Sequence, residues 1–161
     1  METKFSTRVW VSVVGIASIF LGSKGYADTV ISVADFGLKP DTRENAVAYV
    51  QKAIEACRGK EPVTLVFPEG RYDFWPQYAH EKNYYETNTY DVFPKRLAML
   101  FEGLHNITVD GSGSQFIMHD RIQPITVENC DGVTLKNFSI DWDIPLTAQA
   151  RVTKVGSDFF E

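Results

Sequence analysis

The sequence predicts an all-β solenoid, a fold built from short coils that stack on one another. The main observation is a repeat, because residues 97–111 align without a gap with residues 123–137. Each copy holds two short alternating strands separated by a polar corner, and a fixed period in the twenties is typical of stacked coils. A single coil cannot bury its own apolar face, so stacking is expected to form the core. An antiparallel sandwich with accidental similarity is the alternative.

Alternating apolar residues in the repeat indicate which strand face is buried. Ile107 and Val109, and then Val133 and Leu135 one repeat later, lie two positions apart with a threonine between them. Successive side chains of a strand point to opposite faces, so these residues are expected to form aliphatic ladders inside the solenoid. The corners between the strands are rich in Asn, Asp and Gly, which suit turns and left-handed backbone.

Residues 1–27 have the pattern of a secretory signal peptide cleaved after Ala27. Lys4 and Arg8 precede an apolar run over residues 9–21, and small residues stand three and one positions before the cleavage point. The run of about 13 residues is short for a membrane span. We therefore expect a secreted or periplasmic protein with no stable membrane anchor, an uncleaved anchor being the alternative.

Charge and cysteine content narrow the possible ligands. Removal of residues 1–27, which carry a net charge of +2, changes the net charge of the chain from −5 to −7. An acidic exported domain is a poor candidate for nucleic acid or an acidic polysaccharide, because such ligands require basic residues. A neutral ligand fits better. Cys57 and Cys130 are expected to be separate thiols rather than a disulfide, and their spacing suggests no metal site.

The residues after the signal predict a strand and then a helix. Residues 30–36 alternate as a short strand, and Asp41 is placed to cap the following helix, with Glu44 completing a capping-box pattern. Apolar residues recur at helical spacing as far as Cys57, and Gly59 is placed to end the helix. The predicted helix covers about residues 42–58 and would bury one face.

Residues on either side of that helix carry a first family resemblance. Two strands over residues 63–67 and 71–74 flank a tight Pro-Glu-Gly turn, and an Asp35-Phe36-Gly37 motif precedes the helix. This order resembles the opening of pectin-lyase-like proteins. The resemblance implies a right-handed parallel β-helix whose first coil is covered by the N-terminal helix. Such a cover is physically reasonable, because the open end of a solenoid exposes apolar ladders and strand edges.

A long aromatic segment interrupts the pattern at about residues 75–94. It holds four of the seven tyrosines and has neither a helical nor a strand period. Aromatic rings can stack on the apolar face of a pyranose, so a sugar-binding wall is one interpretation. The other is that these rings only cover the end of the solenoid. His80 within the segment is interpreted as a surface histidine.

The second half of the chain carries a narrower resemblance. Residues 97–143, which include the run LFEGLHNITVDG and the later run VTLKNFSIDWD, resemble glycoside hydrolase family 110. The segments Phe116–Arg121 and Asn137–Asp143 are its more specific parts. Members are bacterial exo-α-galactosidases that act on terminal α-1,3-linked galactose. The resemblance implies a glycan with terminal α-galactose as partner, no cofactor, and several further coils in the intact enzyme, with the repeats here covering about residues 97–161.

An inverting glycosidase requires two carboxyl groups about 6.5–9.5 Å apart, one as acid and one as base. Asp141 and Asp143 are a weak candidate pair, since alternate residues of a strand share a face roughly 6.6 Å apart. The resemblance implies, however, that the catalytic aspartates lie in later coils, beyond residue 161. Asp141, Trp142, Asp143 and Arg121 are therefore candidates for substrate binding, with His119 as a further weak candidate. A solvated strand end and a corner salt bridge of Arg121 are the structural alternatives.

Two functions of different classes follow. The chain is either the N-terminal portion of a secreted glycosidase, itself inactive, or a noncatalytic β-helix module that binds carbohydrate or only spaces other domains. A uronate lyase or polygalacturonase is a third and weaker possibility, because the sequence lacks the basic residues or calcium-binding carboxylate clusters that such enzymes require.

Overall fold

The computed structural model of the protein describes residues 29–84, 94–147, 149–159 and 161. The predicted signal peptide and residues 85–93 of the aromatic segment lie outside these ranges. Strands dominate the described residues. In chain order the elements are β1 (Thr29–Ser32), a 3-10 helix (Val33–Phe36), α1 (Val47–Cys57), β2 (Val63–Val66), β3 (Arg71–Phe74), β4 (His80–Lys82), β5 (Lys95–Glu102), β6 (His105–Met118), β7 (Gln123–Glu128) and β8 (Asp131–Trp142).

The strands form two mainly parallel sheets. In the first, the order is β1-β2-β6-β3, and β8 pairs with the opposite edge of the long strand β6. In the second, the order is β4-β5-β7, and only β4 runs antiparallel to its neighbour. The low helix content and the parallel pairing confirm the all-β class.

The strand register reproduces the sequence repeat and then departs from it. Strand β5 pairs Met99 with Ile125, and β6 pairs Ile107 with Val133, both as the aligned repeat predicts. Past an irregularity between Asp110 and Ser114, however, Phe138 pairs with Ser114, whereas an unbroken repeat would pair it with Ser112. The register therefore shifts within β6, because the corner that follows Asp110 is longer than its counterpart in β8.

Left-handed residues also repeat between the β5–β6 corner and the β7–β8 corner. Gly103 and Asn129 have φ angles of 63° and 51°, and Asn106 and Gly132 have φ angles of 49° and 70°. Each pair is separated by the repeat length, so equivalent corners turn in the same way. Asn and Gly are the residues that adopt this conformation at least cost. The expectation from the corner composition is confirmed.

The core lies between the sheets and α1. Ile107 and Val109 are buried as predicted, and Phe116 lies at the centre of an aromatic stack. Its ring centroid is 4.8 Å from that of Phe67 and 4.7 Å from that of Phe138. Aromatic pairs at such distances contribute about 0.5–1.5 kcal/mol each beyond the apolar area that they bury. These two rings are not register partners of Phe116, which pairs with Tyr72 of β3 and Ile140 of β8.

The start of α1 differs from the prediction. Helix α1 begins at Val47, not near residue 42, and the Oδ1 atom of Asn45 accepts the hydrogen bond of the Val47 N–H at 3.1 Å. Asp41 does not cap the helix. Its Oδ1 atom accepts a hydrogen bond from the Arg71 N–H at 2.9 Å, and the Asp41 N–H donates to the Arg71 carbonyl. Asp41, which was predicted to cap the helix, therefore joins its turn to β3 through these two hydrogen bonds.

Other boundaries match the sequence more closely. The predicted first strand ends early, at Ser32, whose side chain caps the short 3-10 helix together with Asp35. Gly59 follows α1 with a φ of 73°, in agreement with its predicted place at the helix end. Both cysteines are free, and burial raises the pKa of the Cys57 thiol to about 11. No helix in the described part of the chain is long and apolar enough to cross a membrane.

Candidate functional site

The candidate site lies at the corner where β3, β6 and β8 end together. The His119 N–H donates to the Phe74 carbonyl at 2.9 Å, and the Asp143 N–H donates to the Met118 carbonyl at 3.0 Å. These bonds continue the parallel ladder by one residue, so Trp75, His119 and Asp143 lie side by side just past the ends of β3, β6 and β8. The corner thus brings together residues that are far apart in the chain.

Asp73 is the buried centre of this corner. Its side chain is 0% exposed, and Arg71 donates three hydrogen bonds to it, from Nη2 to Oδ1 at 2.6 Å, from Nε to Oδ2 at 2.9 Å and from Nε to Oδ1 at 3.1 Å. The His119 Nε2 atom lies 2.8 Å from Asp73 Oδ1. Burial would raise the pKa of Asp73, but the hydrogen bonds and charges of Arg71 and His119 outweigh it and hold the pKa below its ordinary value. Asp73 is therefore ionised at neutral pH.

Asp143 is the exposed member of the same network. Its Oδ1 atom accepts a hydrogen bond from Arg71 Nη2 at 3.2 Å, and its Oδ2 atom lies 3.8 Å from His119 Nδ1. The side chain is 41% exposed, so the carboxylate is bound by Arg71 and still accessible to solvent. The hydrogen bonds to Asp73 and Asp143 raise the pKa of Arg71, which keeps the guanidinium charged.

The other predicted site residues are not drawn into the network. Asp141 is exposed, and its Oδ1 atom accepts the hydrogen bond of the Trp142 N–H at 2.8 Å. Trp142 is half-buried against the core, and its indole N–H lacks a hydrogen-bond partner within the described residues. Arg121 is exposed and has no ion pair with any residue that the structure describes. The alternative that a corner salt bridge explains Arg121 is therefore not supported by these residues.

The candidate pair of carboxylates requires a correction. Strand β8 ends at Trp142, so Asp143 already belongs to the corner and strand spacing does not fix its distance from Asp141. Its carboxylate accepts a hydrogen bond from Arg71 instead, and His119 Nδ1 lies beyond hydrogen-bond distance at 3.8 Å. Asp143 is thereby joined to β3, whereas the Asp141 carboxylate accepts only from the neighbouring Trp142 N–H among the described residues.

Sequence reasoning missed Arg71, Asp73 and Trp75. The alternation in β3 carries a signal, because residues 71 and 73 share one strand face and thus place an Arg beside an Asp. The indole of Trp75 stacks on the His119 ring, with centroids 3.9 Å apart and planes at 5°. No local pattern predicts this contact, since the two rings belong to different coils.

A second polar cluster lies on the other sheet. The repeat pairs Glu102 with Glu128, and Lys82 Nζ contacts both carboxylates, at 2.7 Å and 2.9 Å. The Tyr84 hydroxyl donates to Glu128, and this bond, followed by that of Lys82, lowers the pKa of Glu128. The ammonium group offsets the repulsion between stacked carboxylates, which identifies the cluster as structural.

The described residues offer little else for binding. A cavity of about 180 Å³ lies between α1 and β5, lined by Gln51, Ile54, Glu55, Arg58, His80, Leu100 and Glu102. Within the described part of the chain, the His, Cys, Asp and Glu side chains form no group that could hold a metal ion. The corner around Asp73 is the place where a buried charge supports an exposed carboxylate, an arrangement that can accept hydrogen bonds from hydroxyl groups.

Comparison with known proteins identifies the relatives of the chain. No protein-family model matches it. It is 62% identical over 135 residues to Alpha-1,3-galactosidase B of Bacteroides thetaiotaomicron, a match that covers 84% of this chain and 22% of the relative. It is 39% identical over 125 residues to Alpha-1,3-galactosidase A of Shewanella woodyi, covering 78% of this chain and 20% of that protein. Alpha-1,3-galactosidase B of Phocaeicola vulgatus is 37% identical over 154 residues, a match that covers 93% of this chain and 24% of that protein.

The chain is therefore similar to one part of the bacterial alpha-1,3-galactosidases. The chain is a glycoside hydrolase family 110-like sequence, in agreement with the resemblance of residues 97–143, and it spans about a fifth of the length of these relatives.

Proposed function

We propose that this chain forms part of a glycoside hydrolase that removes terminal α-1,3-linked galactose from glycans. The observation that carries the proposal is the 62% identity to Alpha-1,3-galactosidase B over 84% of the chain. The acidic net charge agrees with a neutral glycan as ligand. The reaction would be an inverting hydrolysis, in which one carboxylic acid protonates the leaving oxygen and one carboxylate activates water.

The architecture that we propose is a right-handed parallel β-helix whose first coil is covered by α1. The parallel register between β5 and β7, which follows the sequence repeat, supports stacked coils, as do the left-handed corners that recur with it. The buried face of α1, formed by Val47, Val50, Ala53, Ile54 and Cys57, supports the covering role. A β-helix extended by further coils would give the intact enzyme a long surface for an extended glycan.

Within this chain, we assign a sugar subsite to the end of β8. Asp143 is its best-supported member, because its carboxylate is fixed by Arg71 and still 41% exposed. Asp141 and Trp142 precede it in the chain and are also assigned to the subsite. Arg121 is assigned to it only because it follows His119 closely in the chain. The catalytic carboxyl groups are assigned to coils beyond residue 161, so this chain would bind galactose without hydrolysing its linkage.

The test is an assay of the 161-residue chain for galactose release from an α-1,3-linked digalactoside. We expect no release, together with binding that Asp143→Asn weakens. Release of galactose would move catalysis onto Asp141 and Asp143, and loss of activity in Asp141→Asn would identify the pair. Binding that survives all four substitutions at residues 121, 141, 142 and 143 would contradict the subsite.

The proposed location is the periplasm or the exterior, reached by a signal peptide over residues 1–27. Expression with the native N-terminus in a Gram-negative host, followed by N-terminal sequencing of the exported protein, tests this assignment. We expect the mature chain to begin at Asp28. Recovery of a chain that begins at Met1 from the membrane fraction would support an uncleaved anchor instead.

A further inference from the structure

We propose that Asp73 is a positioning residue for Asp143 and acts through Arg71 and His119, so that the corner forms one preorganised acceptor for sugar hydroxyl groups. This inference rests on the proposed function, because it takes Asp143 to be a residue that contacts galactose. Asp73 itself is fully buried and cannot touch a ligand. Its role would be to fix the groups that hold the exposed carboxylate.

Asp73 fixes two side chains at once. The fork of Arg71 engages both carboxylate oxygens, and His119 Nε2 engages Oδ1 at 2.8 Å. A two-point contact between a guanidinium and a carboxylate is planar and directional, so it sets the orientation of the Arg71 head group. The hydrogen bond to ionised Asp73 likewise places the proton of His119 on Nε2.

Both of these side chains also face Asp143. Arg71 Nη2 lies 2.6 Å from an oxygen of Asp73 and 3.2 Å from an oxygen of Asp143, so one nitrogen bridges the two carboxylates. The opposite ring nitrogen of His119, Nδ1, lies 3.8 Å from the other oxygen of Asp143. Arg71 thus binds one oxygen of the exposed carboxylate directly, whereas the His119 ring, which donates from Nε2 to Asp73, only limits the space beside the other oxygen.

Trp75 limits the freedom of the His119 ring. Trp75 covers one face of the ring at a centroid distance of 3.9 Å and an angle of 5°, so rotation of the ring would break the stack. The ring therefore keeps Nε2 towards Asp73 and Nδ1 towards Asp143. Trp75 belongs to the coil of β3 and His119 to that of β6, so the stack couples two coils at the level of the site.

The charge of the network specifies the chemical class of the ligand. Arg71 carries one positive charge, whereas Asp73 and Asp143 carry two negative charges that its guanidinium binds. The three groups together keep a net charge of −1, which favours hydroxyl donors and repels carboxylated sugars. A neutral pyranose such as galactose fits this corner, and a uronic acid does not.

A double-mutant cycle tests whether Asp73 acts through Asp143. The dissociation constant of an α-1,3-linked digalactoside is measured by NMR titration for the 161-residue chain, Asp73→Asn, Asp143→Asn and the double variant. We expect Asp73→Asn to weaken binding roughly tenfold. We expect the double variant to bind no more weakly than Asp143→Asn alone, because a positioning residue has no effect once its target is removed. Additive losses would overturn the proposal.

Asp110→Asn is the matched control for the loss of an ion-paired carboxylate. Asp110 lies on β6 and pairs with Lys136 at 3.3 Å, outside the corner network. We expect its binding to equal that of the unsubstituted chain. If Asp110→Asn weakens binding as much as Asp73→Asn does, the effect is a general one of charge and the positioning role is refuted.

A second variant and a readout without sugar complete the test. His119→Gln can still donate one hydrogen bond to Asp73 but removes Nδ1. This variant replaces Asp73→Asn in the cycle if Asp73→Asn does not fold.

The measurement without sugar uses protein labelled at the aspartate carboxyl carbons, and both variants should shift the NMR signal of the Asp143 carboxyl carbon. An unmoved signal overturns the positioning role. A shifted signal in a chain that binds no digalactoside upholds that role and refutes the proposed subsite.

Discussion

Strands β5 and β6 and their partner strands β7 and β8 place register partners in different surroundings. Phe101 is 0% exposed and its partner Val127 is 46% exposed, while Val109 and its partner Leu135 are 1% and 40% exposed. The residue types are alike and the register is the same. The burial of a residue in these sheets is therefore set by the elements that cover it and not by its type alone.

The largest expected effect in this comparison comes from a charge placed on the ladder. Val109→Asp would bury an unpaired carboxylate, at a cost on the order of 4 kcal/mol or more, which is comparable to the whole stability of a small domain. We expect this variant to be unfolded or aggregated by circular dichroism and gel filtration. Leu135→Asp is the matched control on β8, and its expected loss of stability is within about 1 kcal/mol. Equal losses of stability in both variants would show that Leu135 is covered in solution.

Removal of an aromatic ring gives the next effect. Phe116 packs between Phe67 and Phe138, and Phe116→Ala should reduce the free energy of unfolding by about 3–5 kcal/mol through the cavity that it leaves. Ile140, its register partner, is 37% exposed, so Ile140→Ala should cost about 1 kcal/mol. Urea unfolding with a constant m-value measures both losses. A loss at position 140 as large as that at 116 would contradict the contrast.

The buried charge of Asp73 should make the stability of the protein depend on pH. The pKa of Asp73 is lowered in the folded state, so its ion pairs contribute stability that is fully present above the unfolded pKa of about 3.9 and is lost as pH falls through the folded pKa. We expect the unfolding midpoint of the unsubstituted chain to fall steeply below about pH 4. Asp73→Asn should be less stable at neutral pH and should show a flatter decline on acidification. An unchanged slope would assign the acid sensitivity to other carboxylates.

The sequence predicted the part of the structure that depends on local period. The repeat placed Ile107 opposite Val133 and put Gly or Asn at both left-handed corners, because stacked coils impose the same geometry at each period. It did not predict that the register would shift before Ser114, since that shift depends on the length of one corner, near Ser112. The repeat therefore predicts strand pairing as far as Asp110, and not beyond the register shift that follows it.

The candidate site was harder to predict, for a different physical reason. Asp143 was identified from its family segment, but its partner Arg71 is 72 residues away in the chain and His119 belongs to yet another coil. Such contacts depend on how three coils stack, which local patterns do not encode. The mistaken helix cap at Asp41 has a related cause, because an Asp near a turn can accept a hydrogen bond from a helix or from a distant strand.

The smallest expected effect compares two left-handed glycines of neighbouring coils. Gly103 and Gly132 have φ angles of 63° and 70°, so alanine at either position should cost about 1–2 kcal/mol in backbone strain. A Cβ atom at Gly132 would also lie 2.6 Å from Asn106 Oδ1, whereas one at Gly103 would meet only Arg58 Nη1, at 4.0 Å. Gly132→Ala should therefore lower the thermal midpoint more than Gly103→Ala. Equal shifts would mean that the Asn106 side chain moves freely, and that corners of adjacent coils stack through backbone conformation alone.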